Sequence, residues 1–149
     1  MTQNQQEQPT VFIVDDDPAI RFAMQALMDS VNIEHEIYSS GDEFLEKVDD
    51  HRAGCLVLDI RMPGLGGLEL QEELIKRDST LPIIFITGHG DVPMADDAMQ
   101  KGAVDFIQKP FRDQDLLDRI REALKTDAER REEQQKHAEV AERLARLTN

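Results

Sequence analysis

The fold of this chain is decided by the stretch Cys55-Leu56-Val57-Leu58-Asp59-Ile60-Arg61-Met62-Pro63-Gly64. A short, continuous apolar run of this kind is typical of a strand that is covered on both faces. The run ends in an acid, Asp59, and a loop containing glycine and proline follows it. Aspartate also stands at strand ends simply because it favours turns. Because open α/β sheets carry their chemistry at the carboxyl ends of the strands, Asp59 is nevertheless a candidate functional residue.

Four other apolar segments predict further strands: Val11–Val14, Ile37–Tyr38, Leu81–Thr87 and Val104–Gln108. Segments with apolar residues at helical spacing alternate with the strands. Four of these helices begin after a residue that can cap a helix, namely Asp17, Ser40, Asp91 and Asp113. Strict alternation of strands and helices predicts a parallel sheet with helices on both faces. The predicted fold class is therefore α/β, a doubly wound five-stranded parallel sheet with a C-terminal helical extension.

Composition and charge exclude several classes of partner. The net charge of the 149 residues is −14, and Lys and Arg form no cluster. The chain alone is thus not expected to bind DNA or an anionic membrane. No apolar run approaches the roughly 18 residues that span a bilayer, and residues 1–9 lack the regions of a signal peptide. Cys55, the only cysteine, is predicted to be a buried thiol, which suits a reducing, cytoplasmic location.

Chemically active side chains stand at the ends of four predicted strands: Asp15 and Asp16, Asp59, Thr87, and Lys109. Parallel strands bring these ends to one edge of the sheet, where the carboxylates repel each other and raise each other's pKa values. A hard dication removes this repulsion, and Mg²⁺ prefers oxygen ligands. We expect Asp16 and Asp59 to bind Mg²⁺ directly and Asp15 to bind it through water. The backbone carbonyl of Arg61 is a further candidate ligand.

The same residues predict phosphoryl chemistry. The carboxylate of Asp59 can act as a nucleophile, as in aspartyl-phosphate chemistry. Lys109 supplies a compact cation for a phosphoryl oxygen, Thr87 supplies a hydroxyl donor, and Gly88 allows close approach of the backbone. Each residue alone also has a simpler interpretation, as a helix cap, a strand end or a solvated charge. Their occurrence together at the ends of separate strands favours a shared site.

Taken together, these motifs resemble the receiver domains of two-component response regulators. The resemblance covers about residues 10–125 and rests on Val14-Asp15-Asp16, Leu58–Gly64, Thr87-Gly88 and Lys109-Pro110-Phe111. It implies the (βα)5 flavodoxin-like receiver fold. It also implies that Asp59 accepts a phosphoryl group from a sensor histidine kinase, with Mg²⁺ as cofactor and with Thr87 and Lys109 as catalytic residues. Such a domain assists its own phosphorylation and dephosphorylation but is not a turnover enzyme.

The resemblance further implies a conformational switch. Thr87 is expected to move toward the new phosphoryl group, and Phe106 to swing inward and repack the face of helix four, strand five and helix five. The Lys109-Pro110 bond is expected to be cis, and Arg61 and His89 fall at positions that tune the lifetime of the phosphoryl group. At Gly66 the family commonly has Asp, so this chain loses a possible helix cap but no phosphorylation residue.

Two segments, Thr87–Ala95 and Gly102–Phe106, are similar to a narrower group: nitrogen-fixation-type regulators with a LuxR-type helix-turn-helix output. The linker of that group commonly ends in Leu-Thr-x, and this chain ends in Leu147-Thr148-Asn149. We therefore expect a disordered lead at 1–9, a receiver domain at 10–125 and a helical linker at 126–149 toward a DNA-binding domain that is absent from the chain. DNA binding would need that domain.

The predicted linker continues the last helix from about Asp113 to about Leu147, because no Gly or Pro interrupts it. Pairs of opposite charge four residues apart support it: Glu132/Lys136, Glu139/Arg143 and Glu142/Arg146. The stripe of apolar residues along this helix is interrupted by polar residues. The helix therefore either pairs two phosphorylated chains as a weak coiled coil or remains a solvated linker.

Three other functions compete with this prediction. A stand-alone receiver would act through protein contacts alone. A phosphatase of the haloacid-dehalogenase type would use the Asp-x-Asp of Asp15-Asp16-Asp17, but the Thr expected after that motif and a cap domain are missing. A flavodoxin-like flavin carrier has the same fold, but the acidic loop after the first strand would repel a flavin phosphate.

Overall fold

Strands and helices alternate through residues 8–49, 51–88 and 90–148, which the computed structural model describes. In order they are β1 (Thr10–Val14), α1 (Pro18–Ser30), β2 (His35–Tyr38), α2 (Gly41–Lys47), β3 (Gly54–Asp59), α3 (Gly67–Lys76), β4 (Ile83–Thr87), α4 (Val92–Gln100), β5 (Asp105–Gln108) and α5 (Asp113–Thr148). All strand pairs are parallel, in the order β2-β1-β3-β4-β5. The predicted fold class is confirmed.

Side-chain caps fix where the first two helices begin. The N–H of Ala19 donates to Oδ1 of Asp17 at 2.9 Å, and Pro18 opens α1. The N–H of Glu43 donates to Oγ of Ser40 at 3.1 Å at the start of α2. Each cap satisfies a backbone donor that the helix itself leaves unpaired. Both were predicted from the sequence.

The loop between β3 and α3 depends on two glycines. Gly66 offers no side-chain cap to α3, but its own N–H donates to Oε1 of Glu69 at 3.3 Å. At Gly67 a Cβ atom would lie 2.5 Å from the carbonyl oxygen of Asp59. Only glycine fits there without a shift of the backbone. The start of α3 can therefore lie directly against the end of β3.

The core consists of two layers, one on each face of the sheet. Successive residues of β3 alternate between them, so Leu56 and Leu58 face α2, α3 and α4, while Cys55 and Val57 face α1 and α5. Full burial of each such aliphatic side chain is worth about 1.5–3 kcal/mol. Cys55 is fully buried, as predicted, and burial, followed by the charge of Asp127, raises its pKa to about 12.

Helix α5 is continuous from Asp113 to Thr148, which confirms the predicted extension. Its contact with the sheet continues past Lys125. Asp127 is 2% exposed. Its Oδ2 accepts the N–H of Gly54 at 2.9 Å, and the guanidinium of Arg131 donates to the same carboxylate at 2.9 Å. From 132 to 147 every residue is exposed.

In the ranges 8–49, 51–88 and 90–148, no helix has both the length and the apolar character needed to cross a membrane.

Candidate functional site

The register of the sheet brings the predicted acids together. Val14 lies opposite Leu58 in the β1–β3 pair, so Asp15 and Asp59 leave neighbouring strands at the same level. One carboxylate oxygen from each of Asp15, Asp16 and Asp59 lies within 4.8 Å of the other two. The three acids named from the sequence therefore form one cluster at the carboxyl edge of the sheet.

Asp15 is the buried member of this cluster, at 1% exposure. Its Oδ1 accepts the N–H of Asp17 at 2.9 Å, while its buried Oδ2 has no hydrogen-bond partner within the described residues. Burial raises the pKa of Asp15, the charges of Asp16 and Asp17 add to this effect, and the Asp17 N–H and Lys109 oppose it. An unsatisfied, buried carboxylate oxygen is costly unless a cation or a donor reaches it.

Asp59 stands at the end of β3 and is partly buried. Burial first, and the charge of Asp15 second, raise its pKa from 3.8 to about 6, against the lowering effects of Lys109 and of the Arg61 backbone N–H. The carboxylate is therefore mostly ionised at neutral pH, as a nucleophile must be. Its raised pKa marks a site where charge is held at a cost, which is common at functional sites.

The donor set of this acidic pocket fits Mg²⁺. All three side chains offer oxygen atoms, the ligands that Mg²⁺ prefers. The unpartnered Oδ2 of Asp15 lies within the cluster that a cation would neutralise. Asp15, Asp16 and Asp59 could hold the ion. The contribution of the Arg61 carbonyl stays a prediction.

Thr87 and Lys109 reach the same edge from β4 and β5. Ile86 lies opposite Asp59, so Thr87 is one residue beyond it along the next strand. Thr87 is fully buried, and its Oγ1 lies 3.4 Å from the carbonyl oxygen of Ile107, to which it donates. The N–H of Lys109 donates to the carbonyl of Thr87 at 2.8 Å.

The positive charge of Lys109 lowers the pKa values of Asp15 and Asp59. Lys109 therefore acts electrostatically on the acid cluster. The bond between Lys109 and Pro110 is cis, as predicted. The five residues predicted at strand ends thus lie at the carboxyl ends of four strands: Asp15, Asp16, Asp59, Thr87 and Lys109.

One residue near the cluster was not foreseen. Asp91 was predicted to cap α4, but its side chain makes no capping hydrogen bond. Instead its Oδ1 accepts Nε of Arg61 at 2.5 Å and its Oδ2 accepts the N–H of Gly88 at 3.3 Å. The bond from Arg61 is the main reason that the pKa of Asp91 is lowered. The partners are 30 and 3 positions away, so only the fold reveals the longer-range pair.

The two remaining predicted residues differ in what the structure describes. Phe106 is partly buried, lies opposite Phe85 in the β4–β5 pair, and packs against the layer that contains α2, α3 and α4. Its inward movement stays a prediction. His89 lies outside the described residues.

Residues 11–121 match the family model of the response regulator receiver domain. The chain belongs to the response regulator receiver domain family. This is a signalling family rather than a family of turnover enzymes, so the phosphatase and the flavin carrier are set aside.

Curated relatives agree with the narrower resemblance. The receiver is 49% identical over 124 residues to Nodulation protein W of Bradyrhizobium diazoefficiens, which covers 83% of this chain and 55% of that protein. It is 39% identical over 138 residues to the transcriptional regulatory protein FixJ of Azorhizobium caulinodans, covering 93% of this chain and 65% of that protein. The chain therefore spans a little over half the length of the relatives that it matches.

Solved structures show the same fold. The response regulator StyR superposes on this receiver with a TM-score of 0.86 at 44% identity, over 91% of this chain and 68% of that one. FixJ-N superposes with a TM-score of 0.75 at 41% identity, over 80% of this chain and 95% of that one.

Proposed function

We propose that this receiver accepts a phosphoryl group on Asp59 from the phosphohistidine of a sensor histidine kinase. The phosphorylated form then controls transcription through an output domain beyond α5. The observation that carries this proposal is the cluster of Asp15, Asp16 and Asp59, bordered by Thr87 and Lys109 on the neighbouring strands.

The transfer is a displacement at phosphorus. A carboxylate oxygen of Asp59 attacks, a P–O bond forms, and the P–N bond to the histidine breaks, leaving the electron pair on the imidazole nitrogen, which takes up a proton from water. When Mg²⁺ is bound by the acids, it neutralises charge on the transferring group. Lys109 binds a phosphoryl oxygen and offsets the added negative charge. Hydrolysis reverses the modification, because water attacks the phosphorus and releases phosphate and the free Asp59 carboxylate.

The experiment is direct. The chain is incubated with acetyl phosphate and Mg²⁺, and its intact mass is measured. We expect one added phosphoryl group in the parent, and none in Asp59→Asn or in the presence of a chelator. Asn keeps the shape of the side chain but is not a nucleophile. An Asn variant that still gained the mass would place the acceptor elsewhere.

The contact between Thr87 and Ile107 supports a route for the proposed switch. In the unphosphorylated receiver, the Thr87 hydroxyl donates to the backbone carbonyl of the residue next to Phe106. A phosphoryl oxygen on Asp59 would be a stronger, charged acceptor for that hydroxyl. Loss of the bond to Ile107 would remove one of the contacts between β4 and β5 beside Phe106. We infer that phosphorylation changes the face of α4, β5 and α5 by this route.

The output is proposed to act through pairs of chains. Beyond Arg131 every residue of helix α5 up to Leu147 is exposed, so the linker is proposed to begin there. It exposes the apolar side chains of Val140, Leu144 and Leu147 at 51%, 58% and 81%. These residues are four and three positions apart, the spacing of a coiled-coil seam. We infer that a second copy covers them after phosphorylation and that the absent domains then meet a two-fold DNA site together.

A further inference from the structure

One carboxylate beside the acid cluster has no part in the phosphoryl transfer described above. Asp91 stands immediately before α4, and its side chain is 6% exposed beneath the more exposed side chain of Arg61. Each of its oxygens holds one donor: Oδ1 accepts Nε of Arg61, and Oδ2 accepts the N–H of Gly88 at 3.3 Å.

Both donors come from the loops that border Asp59. The backbone N–H of Arg61 bonds to the Asp59 carboxylate, so the Arg61 side chain begins beside the phosphoryl position. Gly88 follows Thr87, whose strand pairs with β3 next to Asp59. The charge of Lys109 lowers the pKa values of both Asp59 and Asp91, so the two carboxylates share one electrostatic environment.

We propose that Asp91 is a positioning residue: it holds Arg61 and the Gly88 N–H as an internal anion and releases them to the phosphoryl group on Asp59. This inference rests on the proposed function of Asp59. The Nε of Arg61 and the backbone nitrogen of Gly88 each carry a single proton, so neither donor can serve both anions at full strength. Asp91 therefore competes with the phosphoryl group for these two donors. The phosphorylated form is less stable by the free energy of the hydrogen bonds to Asp91 that must be broken.

The test uses beryllofluoride with Mg²⁺ as a stable mimic of the phosphoryl group, titrated into the chain and followed through backbone amide resonances. Asp91→Asn keeps the side-chain shape and removes its charge, and we expect it to bind beryllofluoride about tenfold more tightly than the parent, the factor that corresponds to 1.4 kcal/mol. Asp96→Asn removes the same charge from an exposed position of α4 and should bind like the parent.

A double-mutant cycle separates exchange of Arg61 from simple loss of nearby charge. In an Arg61→Ala background, Asp91→Asn should gain much less than in the parent, because one of the two donors is gone. An undiminished gain would show that Asp91 acts only through its field, and would overturn the inference. So would an Asp91→Asn variant that melts at a lower temperature but binds beryllofluoride with the affinity of the parent.

The parent protein gives a second measurement that does not depend on how the variants fold. The Hε–Nε resonance of Arg61 should move when beryllofluoride binds, because its acceptor changes, and an unmoved resonance would contradict the exchange. If neither the parent nor Asp59→Asn bound beryllofluoride, the proposed function itself would fail and the inference with it. If the parent bound beryllofluoride and Asp59→Asn did not, but Asp91→Asn bound it with the same affinity as the parent, the inference alone would fail.

Discussion

At the scale of single residues, Asp59 shows that the fold disfavours the charge that the chemistry needs. Its pKa is raised from 3.8 to about 6, mainly by burial. A carboxyl group with a higher pKa in the folded state stabilises the fold when it is protonated. That stabilisation is complete below the unfolded pKa and is lost as the pH rises through the folded value. In the absence of Mg²⁺, the ionised Asp59 therefore lowers the free energy of unfolding at neutral pH.

A pH-dependent prediction follows for Asp59→Asn without Mg²⁺. The variant should be more stable than the parent at about pH 7.5, and the difference should shrink toward about pH 4, where the parent is protonated. Urea unfolding of both proteins in a chelating buffer measures it. A difference that grew toward low pH would mean that the charge of Asp59 stabilises the fold.

Magnesium should remove this cost. Binding at about ten times the dissociation constant adds about 1.4 kcal/mol to the free energy of unfolding, or about 3–6 °C in a thermal melt of a domain of this size. Asp16→Ala should lose most of the shift, because it removes one ligand of the cluster. Asp17→Ala is the matched control, since Asp17 caps α1 instead and the variant should keep the shift although it melts lower. Equal shifts in parent and Asp16→Ala would contradict the ligand assignment.

The residues of the acid cluster could be predicted from the sequence, whereas Asp91 could not. Asp15, Asp59 and Lys109 each follow a recognisable apolar strand, and parallel strands must bring such ends together. The contacts of Asp91 are decided by the shapes of two loops. An acid before a helix predicts a cap. Only the three-dimensional path of the loop after β3 brings Arg61 close enough to donate to Asp91 in place of a backbone N–H of the helix.

At the scale of secondary structure, α5 is attached to the sheet farther along than its sequence indicated. The absence of Gly and Pro correctly predicted a continuous helix. The buried role of Asp127 was missed because charges dominate this part of the chain. A signal was present: Leu116, Ile120 and Ala123 are spaced four and three apart on the buried face, and Asp127 comes four residues later.

Asp127→Ala should therefore destabilise the receiver. It leaves the N–H of Gly54 without its acceptor and Arg131 without its carboxylate, and such a loss costs about 1–3 kcal/mol. Asp127→Asn retains an acceptor for Gly54 and should cost less. Glu129→Ala, at an exposed position of the same helix, should change the free energy of unfolding by less than about 0.5 kcal/mol. Urea unfolding compares the four proteins, and an Asp127→Ala variant as stable as Glu129→Ala would contradict the attachment.

At the scale of the whole molecule, one strand connects the acid cluster to the long helix. β3 carries Asp59 at its carboxyl end, and Gly54 at its other end donates to Asp127 of α5. The helix is thus fixed to the sheet at the end opposite the phosphorylation site, and only its exposed part beyond Arg131 projects away. If two chains pair along that part, they therefore pair through a helix whose preceding turns are fixed to the sheet.

Three large apolar residues, Val140, Leu144 and Leu147, form a short seam, and helices this short associate weakly. We expect the chain to be largely monomeric without phosphorylation and to gain mass in light scattering at tens of micromolar once phosphorylated. Leu144→Glu places a charge in the seam and should prevent the gain without affecting phosphorylation. Gln135→Glu adds the same charge on the opposite side of the helix, nine residues away at 100° per residue, and should pair like the parent.

Truncation of α5 also tests this seam, and the contacts of Asp127 and Arg131 decide where the chain should be cut. A chain ending at Lys125 would lose Asp127 and Arg131 together with the seam, so any loss of pairing could come from a weakened fold. A chain ending at Gln135 keeps both residues, and with them the contacts to Gly54 and to the carbonyl of Arg52. It removes residues 136–149, which include Val140, Leu144 and Leu147. If that shorter chain still gained mass on phosphorylation, the pairing would be carried by the face of α4, β5 and α5 alone. If it stayed monomeric with an unchanged melting temperature, the exposed end of α5 is the surface that joins the two copies.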